Sequence, residues 1–319
     1  MIGTDAAGAA LDVALDRLVV PGFSSIGYAV RRRLPSWPAD PAPGALDGRH
    51  VVVTGASSGL GIATAAQLLA LGAHVHLVVR DEAKGRRVAD GLHGATTLWR
   101  CDIADLDSVR ALAEGLLGSG VRLAGLVHNA GALPAQRTES PQGHELTMAL
   151  HVLGPVLMTD LLRPALRGED ARVVLVTSGG MYTQRLPVDD PDYREGRYAG
   201  ATAYARSKRT QVELLPVLGD RWAADGVRVH AMHPGWAATP GVTESLPGFE
   251  RVTRPILRDP DAGADTTTWL LATEPAPASG ALWHDRRARP TSVLPWTGTA
   301  ERDRARMWSW VVAASRLDG

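Results

Sequence analysis

A tyrosine and a lysine stand four residues apart in the segment ATAYARSK, residues 201–208. Lys208 is one of two lysines in a chain that otherwise uses arginine for its positive charge. On a helix, residues four apart share one face, so Tyr204 and Lys208 can point into one cleft. A nearby ammonium stabilises a phenolate, which suits tyrosine to proton transfer at neutral pH. The alternative is an exposed helix face on which both side chains merely meet solvent.

A serine and a glycine-rich turn extend this candidate chemistry. Ser178 ends a predicted strand ahead of Tyr204, where its hydroxyl could hold a substrate carbonyl oxygen. The segment TGASSGLG, residues 54–61, lies where a predicted strand turns into a predicted helix. Its glycines would let the backbone approach a pyrophosphate, whose charge is stabilised at a helix N-terminus. In this context the segment favours dinucleotide binding over a plain turn.

Two polar residues follow later predicted strands. Asp102 could accept a hydrogen bond from an adenine amino group, or it could cap the next helix. Asn129 begins the tripeptide NAG, residues 129–131, at the carboxyl edge of the predicted sheet, where ligands of such folds bind. The order of these cues along the chain indicates one cofactor site.

A sheet must bring these strand ends together. Short runs rich in Val, Leu or Thr predict buried parallel strands at residues 50–55, 73–80, 95–102, 122–131, 171–178 and 227–235. Longer segments between them, such as residues 60–72 and 108–118, have helical period. The alternation predicts an α/β fold with a doubly wound parallel sheet of Rossmann type in a single domain.

The ends of the chain differ from this pattern. We expect an N-terminal extension and linker at residues 1–48, a catalytic domain at 49–298 and a C-terminal helical tail at 299–319. Prolines in RRRLPSWPADPAPGALDG, residues 31–48, argue against a regular element there. Phe23, Ile26, Val30 and the basic residues 31–33 could form an amphipathic anchor, which would give peripheral membrane contact.

Composition excludes several function classes. The 319 residues are 45% hydrophobic, enough for a sizeable core, and Lys+Arg and Asp+Glu are both 34, which disfavours nucleic-acid binding. Cys101 is the single cysteine, so an internal disulfide and multi-cysteine metal centres are excluded, and we predict no metal site. Without an apolar run of about 18 residues or a signal-peptide pattern, the sequence predicts a cytoplasmic protein.

In their order and spacing, TGASSGLG, HNAG, Ser178, YARSK and HPGWAAT resemble the motifs of the short-chain dehydrogenases/reductases, over about residues 47–273. Three longer phrases, LDGRHVVVTGASSGLG, VTSGGMYTQRL and HPGWAATPGV, look similar to the dehydrogenase/reductase member twelve type, near the retinol-dehydrogenase-like branch. The resemblance implies that Tyr204 is the general acid/base and that Ser178 orients the carbonyl or hydroxyl. Lys208 would bind the nicotinamide ribose and lower the tyrosine pKa.

The resemblance also implies which residues surround the cofactor. Besides Tyr204 and Lys208, they are Gly55, Ser57, Ser58, Gly59, Leu60, Arg80, Asp102, Ile103, Asn129, Ala130, Gly131, Pro234, Gly235, Trp236 and Thr239.

One position departs from the family's pattern. In ALHVLGPVLMT, His151 stands where such proteins usually carry an asparagine, whose backbone distortion helps seat a water in a proton relay. The histidine could keep that water, replace it with an imidazole that titrates near neutral pH, or break the relay. It could also be a packing residue.

The end of the second predicted strand bears on cofactor choice. An acidic residue there accepts hydrogen bonds from a ribose 2′-hydroxyl, whereas an arginine can pair with a 2′-phosphate. Arg80 in HLVVRD occupies this place and favours NADP(H). NAD(H) remains possible because Asp81 is adjacent.

The sequence therefore predicts an NAD(P)-dependent oxidoreductase that transfers hydride to or from a lipophilic carbonyl or secondary alcohol. Met181, Tyr182, Trp236 and Phe249 could line an apolar substrate pocket, or could be ordinary packing. Alternatives are a catalytically weakened cofactor-binding regulatory or scaffold protein and a membrane-surface enzyme. A homo-oligomer is also possible.

Overall fold

The computed structural model describes residues 3–168, 170–238, 251 and 253–317. Its centre is a mostly parallel sheet made of β1 His50–Thr54, β2 His74–Val79, β3 Thr96–Arg100, β4 Leu123–His128, β5 Arg172–Val176, β6 Arg228–Met232, β7 Ala281–His284 and β8 Arg287–Arg289. The strand order is β3-β2-β1-β4-β5-β6-β7-β8, with only the β7–β8 pair antiparallel among these strands. The order reverses between β1 and β4, where doubly wound sheets open a crevice at their carboxyl ends.

Helices cover both faces of the sheet. The N-terminal segment forms α1 Gly3–Arg17, α2 Val19–Phe23 and α3 Ser25–Arg31. Along the chain, most of the later helices alternate with the strands; they are α4 Gly59–Ala70, α5 Glu82–Gly91, α6 Leu106–Gly118, α7 Leu146–Met148, α8 Gly154–Leu166, α9 Gly200–Glu213, α10 Leu215–Ala223, α11 Pro260–Ala272 and α12 Glu301–Ser315. The predicted doubly wound α/β fold is confirmed.

Successive residues of β1 show why this strand reads as a continuous apolar run. Val52 packs in the core on one face of the sheet, with residues of α6 and α8. Val51 and Val53 pack in the core on the other face, with residues of α4 and α11. Because both faces are covered, the three central side chains of the strand, Val51, Val52 and Val53, are all apolar.

The N-terminal segment is docked on the sheet through buried charges. The Arg31 guanidinium contacts Asp12 at 2.8 Å and Asp285, in the β7–β8 turn, at 2.7 Å. Arg258 contacts the same Asp285 at 2.6 Å. Burying these charges is tolerated because each is paired. Residues 32–49 then lack helix or strand, as their prolines predicted.

The predicted membrane anchor is wrong for two of its members. Phe23 and Arg31 are 4% and 1% exposed, because they pack into the core and the buried charge network. Ile26 is 53% exposed.

The helical stretch Leu146–Leu166, which joins α7 and α8, is long and apolar enough to cross a membrane by those two criteria alone. It is 72% buried within the protein, as expected for a core helix.

Candidate active site

A cleft of about 770 Å³ opens at the carboxyl ends of the strands on either side of the β1–β4 crevice. Among the described residues, it is lined by every predicted site residue except His151: Gly55, Ser57, Ser58, Gly59, Leu60, Arg80, Asp102, Ile103, Asn129, Ala130, Gly131, Ser178, Tyr204, Lys208, Pro234, Gly235 and Trp236. Thr239 and Phe249 lie outside the described residues. The chain's two lysines, Lys84 and Lys208, both line this cleft.

The turn from β1 into α4 forms a cradle in which Gly55 and Gly61 have no room for a side chain. Gly55 and Gly59 have φ of +67° and +47°, and a Cβ on Gly61 would lie 2.2 Å from the Gly55 carbonyl oxygen. Ser58 precedes α4 without a side-chain hydrogen bond to the first turn. The helix thus begins at Gly59 and Leu60, which line the cleft, without a side-chain cap on its first turn, an arrangement that suits a pyrophosphate.

Asn129 braces this cradle from β4. Its Nδ2 donates to the Thr54 carbonyl oxygen at 3.0 Å, and its backbone N–H donates to Thr54 Oγ1, also at 3.0 Å. The N–H of Ala130 reaches the same hydroxyl at 3.1 Å. These bonds hold the ends of β1 and β4 together at the mouth of the crevice. Asn129 therefore supports the cofactor cradle by fixing Thr54, the residue before Gly55.

Asp102 lies at the end of β3, beside the cleft. Its Oδ1 accepts a hydrogen bond from Ala104 N at 3.0 Å. The N-cap of α6 is instead Asp105, whose side chain accepts from Asp107 N. The capping role considered for Asp102 is therefore wrong, and the residue remains available to face an adenine.

Ser178, Tyr204 and Lys208 converge at the floor of the cleft. Helix α9 presents Tyr204 and Lys208 on one face, with the lysine Nζ 5.6 Å from the centre of the tyrosine ring. Nζ donates to the Val176 carbonyl oxygen at 2.8 Å. Ser178 Oγ accepts from Gly180 N at 3.2 Å and hydrogen-bonds the Tyr204 side chain. A hydroxyl pair and an amine are thus held within one small volume.

Burial dominates the electrostatics of this trio. It raises the pKa of Tyr204, an effect that the hydrogen bond from Ser178 opposes. Burial also lowers the pKa of Lys208 to about 7. The expectation that the lysine lowers the tyrosine pKa does not hold in the protein alone, because desolvation disfavours both the phenolate and the ammonium.

His151 sits behind Tyr204 in a π-helical turn, Ala149–Leu153, between α7 and α8. The two rings meet edge to face with centroids 5.3 Å apart. His151 Nε2 accepts from Ala132 N at 3.3 Å, so Nδ1 carries the proton and donates to Ser207 Oγ at 2.8 Å. The hydroxyl of Ser207 in turn donates to the Tyr204 carbonyl oxygen at 2.8 Å. Burial, then Lys208, hold the pKa of His151 well below its usual value.

This arrangement helps to choose among the roles considered for His151. The backbone distortion expected of the family's asparagine is present as the π-helical turn. Both ring nitrogens are occupied and the imidazole is neutral, so the geometry favours a bracing residue over a titrating proton carrier.

The adenosine end of the cleft is basic. Arg80 and Lys84 are exposed along its edge, whereas Asp81 is the N-cap of α5 and accepts from Lys84 N at 2.9 Å. Backbone hydrogen bonds, first from Lys84, hold the pKa of the Asp81 carboxyl below its usual value. Within the described residues, no carboxylate forms an ion pair with Arg80.

Sequence reasoning missed the contribution of the N-terminal segment to this site. The ring of Phe23 occupies the space beside Gly179, where an added Cβ would come within 2.5 Å of it. Arg258 Nε donates to the Phe23 carbonyl oxygen at 3.1 Å. In the sequence Phe23 stands out only as an apolar residue near arginines, and no local signal marks Arg258.

Two residues expected in the substrate pocket are core residues. Met181 is fully buried, and the Tyr182 hydroxyl donates to the Pro290 carbonyl oxygen at 2.9 Å. Trp236 lines the cleft, as expected. The walls of the cleft also include three leucines that were not expected from the sequence, Leu133, Leu146 and Leu150.

Comparisons with known proteins agree with this architecture. A family model described as short chain dehydrogenase matches residues 49–248. The chain is 38% identical to dehydrogenase/reductase SDR family member 12 of Bos taurus, over 77% of the chain and 79% of that protein. It is 33% identical to retinol dehydrogenase 12 of Homo sapiens, over 75% and 78%.

A solved structure of 3-ketoacyl-(acyl-carrier-protein) reductase from Brucella melitensis, complexed with NADH, is similar with a TM-score of 0.61. It is 25% identical, and the match covers 74% of this chain and 96% of that one. The glycine cradle and the sequence matches lead to the same conclusion: the chain belongs to the short-chain dehydrogenase/reductase family and is an NAD(P)-dependent oxidoreductase.

Proposed function

We propose that this enzyme prefers NADP(H) and interconverts a lipophilic carbonyl compound and its secondary alcohol, with Tyr204 as the general acid/base. The observation that carries the proposal is the convergence of Ser178, Tyr204 and Lys208 at the floor of a cleft that begins in an uncapped helix N-terminus. A buried lysine is costly to keep, which favours a chemical role for it.

The trio can handle the proton while a bound nicotinamide supplies or accepts the hydride. The raised pKa of Tyr204 keeps its hydroxyl protonated at neutral pH, the form that donates to a carbonyl oxygen during reduction. Ser178, anchored by Gly180 N, offers a second hydrogen bond to that oxygen. Lys208, with a pKa of about 7, can exist as amine or ammonium and so can replenish the proton.

The proposed preference for NADP(H) rests on the positive charge at the edge of the cleft. Asp81 uses one carboxylate oxygen to cap α5. Arg80 and Lys84 supply two positive charges on the same edge of the cleft. Such a pair suits the dianionic 2′-phosphate.

The proposed substrate class rests on the apolar part of the cleft lining. Leu133, Leu146, Leu150 and Trp236 add apolar side chains to the cleft that holds the reactive hydroxyls. Apolar pockets with a few convergent polar groups bind lipophilic ligands. The relative named retinol dehydrogenase 12 is named for a lipophilic alcohol.

We also propose that the enzyme works in the cytoplasm and touches membrane surfaces through its N-terminal segment. Leu18, Val19, Val20 and Ile26 are 50–57% exposed there, beside the exposed Arg17. Apolar side chains flanked by basic ones bind anionic bilayers. Co-sedimentation with vesicles containing phosphatidylserine tests this, and a chain with Val19 and Val20 changed to Ser should stay in the supernatant. A homo-oligomer remains a prediction.

The function is tested by following NADPH and NADH absorbance with a panel of aliphatic, aromatic and terpenoid carbonyls and alcohols. Turnover of apolar ketones or aldehydes with NADPH supports the proposal. Tight NADPH binding without turnover of any compound would favour the alternative of a regulatory cofactor-binding protein.

A further inference from the structure

Three histidines lie together at the end of the sheet opposite the cleft. His50 is the first residue of β1, and His74 and His76 lie at the start of β2. Parallel pairing sets His50 beside His74, and residues two apart on a strand share a face. All three imidazoles therefore project from one face of the sheet, at the amino ends of its strands.

The spacing of their nitrogens suits a metal ion. One ring nitrogen from each histidine lies within 4.8 Å of the other two, and His50 Nδ1 is 3.1 Å from His76 Nε2. Zinc–imidazole bonds of 2.0–2.1 Å in a tetrahedron separate neighbouring nitrogens by about 3.3 Å. The rings are inclined at 23–37° to one another, so each must turn to aim a lone pair at a common centre. His50 and His74 are only half-buried, which leaves them room to do so.

We propose that His50, His74 and His76 bind a first-row divalent transition metal of the Zn²⁺ type. Three neutral imidazoles on a rigid pair of strands form the donor set that Zn²⁺ takes at sites with an open fourth position. A water can complete the tetrahedron. The single cysteine led to the prediction of no metal site; these histidines come together only when β1 and β2 pair.

A hydrogen bond from a neighbouring tryptophan must break when a metal binds at His76, and its loss opposes binding. The Trp99 indole N–H donates to His76 Nδ1 at 2.9 Å. This bond leaves the proton of neutral His76 on Nε2, which then donates to His50 Nδ1. A metal at His76 Nε2 replaces that proton, and Nδ1 must carry one instead, so the indole N–H loses its acceptor. Trp99 therefore holds the cluster in its metal-free hydrogen-bonding pattern.

The expected consequence is for stability. The cluster joins β1 to β2 at the strand ends far from Ser178 and Tyr204, and a ligand that binds only the folded state stabilises it by mass action. Zn²⁺ should raise the melting temperature without being required for turnover.

The test is isothermal titration of the tag-free, full-length protein with ZnCl₂, supported by competition against a chromogenic chelator. We expect one Zn²⁺ per chain in the wild type and at least about tenfold weaker binding in His50→Gln and His74→Gln. His93→Gln is the matched control, because His93 is an exposed histidine in the loop before β3, and it should bind like the wild type. Circular dichroism and NADPH affinity check that each variant is folded.

Trp99→Phe adds a result that non-specific binding would not give. Without the indole donor, His76 can place its proton on Nδ1 freely, so this variant should bind Zn²⁺ more tightly than the wild type. The proposal is overturned if the wild type binds no Zn²⁺, or if His50→Gln and His74→Gln bind as tightly as it does. Weaker binding by Trp99→Phe would overturn the assignment of His76 Nε2 as a ligand.

Discussion

The backbone N–H of Trp236 donates to the carbonyl oxygen of Phe23 over 2.7 Å. This bond ties the end of α2 to the loop that carries Pro234 and Gly235 at the cofactor side of the cleft. The Phe23 ring lies 4.6 Å from the ring of His233 and fills the space over Gly179, one residue after Ser178. One residue of the N-terminal segment thus supports two loops of the active site.

Phe23→Ala should therefore weaken the enzyme as well as the fold. Truncating a buried phenylalanine typically costs about 3–5 kcal/mol of unfolding free energy, and the loosened loops should raise the KM for NADPH. Urea unfolding and steady-state kinetics measure the two effects. Ile26→Ala, an exposed change in the same segment, is the control and should alter neither. Phe23→Leu guards against simple unfolding: an unchanged KM for NADPH in a folded Phe23→Leu variant would contradict the supporting role.

Tyr204→Phe should keep the fold and NADPH affinity but lower turnover by about 10²–10⁴-fold. The ring keeps its packing against His151, while the hydroxyl that hydrogen-bonds Ser178 is lost. Single-turnover rates and fluorescence titration with NADPH separate the two properties. Turnover near that of the wild type would exclude the phenol as the proton donor.

Arg80→Asp should reduce affinity for NADPH much more than affinity for NADH. The new carboxylate repels a 2′-phosphate, and the exposed side chain contributes little to folding. Dissociation constants for both cofactors provide the measurement, with Arg86→Asp, an exposed position on the following helix α5, as a control. Equal losses for the two cofactors would mean that Arg80 does not read the phosphate.

Much of the fold could be predicted from the sequence because both faces of the sheet are buried. β1, β2, β4, β5 and β6 are apolar runs whose ends carry the site residues, so their positions could be predicted closely. β7 and β8 escaped prediction: they are only four and three residues long, and Trp283 and the arginines at their tips give no clear period.

The parts of the site that depend on local sequence could be predicted. The contacts between segments that are distant in the sequence could not. The spacing of Tyr204 and Lys208 sets a helix face by itself. The docking of Phe23 depends instead on Arg31 and Asp285, which are 254 residues apart and pair only after folding. The neutral state of His151 likewise follows from its burial and from Lys208, which the spacing of residues does not reveal.

Lys208 should make stability depend on pH in a predictable direction. Its pKa is about 7 in the folded state and 10.5 as the ordinary value, so between these limits the unfolded chain binds more protons than the folded one. Stability should therefore rise with pH across this window, by up to about 1.4 kcal/mol per pH unit. Lys208→Met removes this contribution, so urea unfolding of the cofactor-free proteins at pH 7, 8 and 9 should give a flatter profile for the variant. Parallel profiles for the two proteins would contradict the lowered pKa.

His151→Asn separates a bracing histidine from one that carries protons. Since the imidazole is neutral with both nitrogens engaged, the variant should keep turnover within a few fold of the wild type, and the pH–rate profile should show no change between pH 6 and 7.

Stability gives an independent readout of the same residue. The folded-state pKa of His151 is depressed, so below the usual value of 6.5 the unfolded chain takes up a proton that the folded chain refuses, and stability falls as the pH falls. His151→Asn should be less sensitive to acid between pH 6.5 and 5 in thermal melts. His151→Phe is the contrasting variant: it keeps a ring but leaves Ala132 N–H and Ser207 Oγ without their partner, and should lower both stability and turnover. If His151→Asn instead abolished turnover while cofactor affinity and melting temperature stayed unchanged, the imidazole would have to take part in proton transfer.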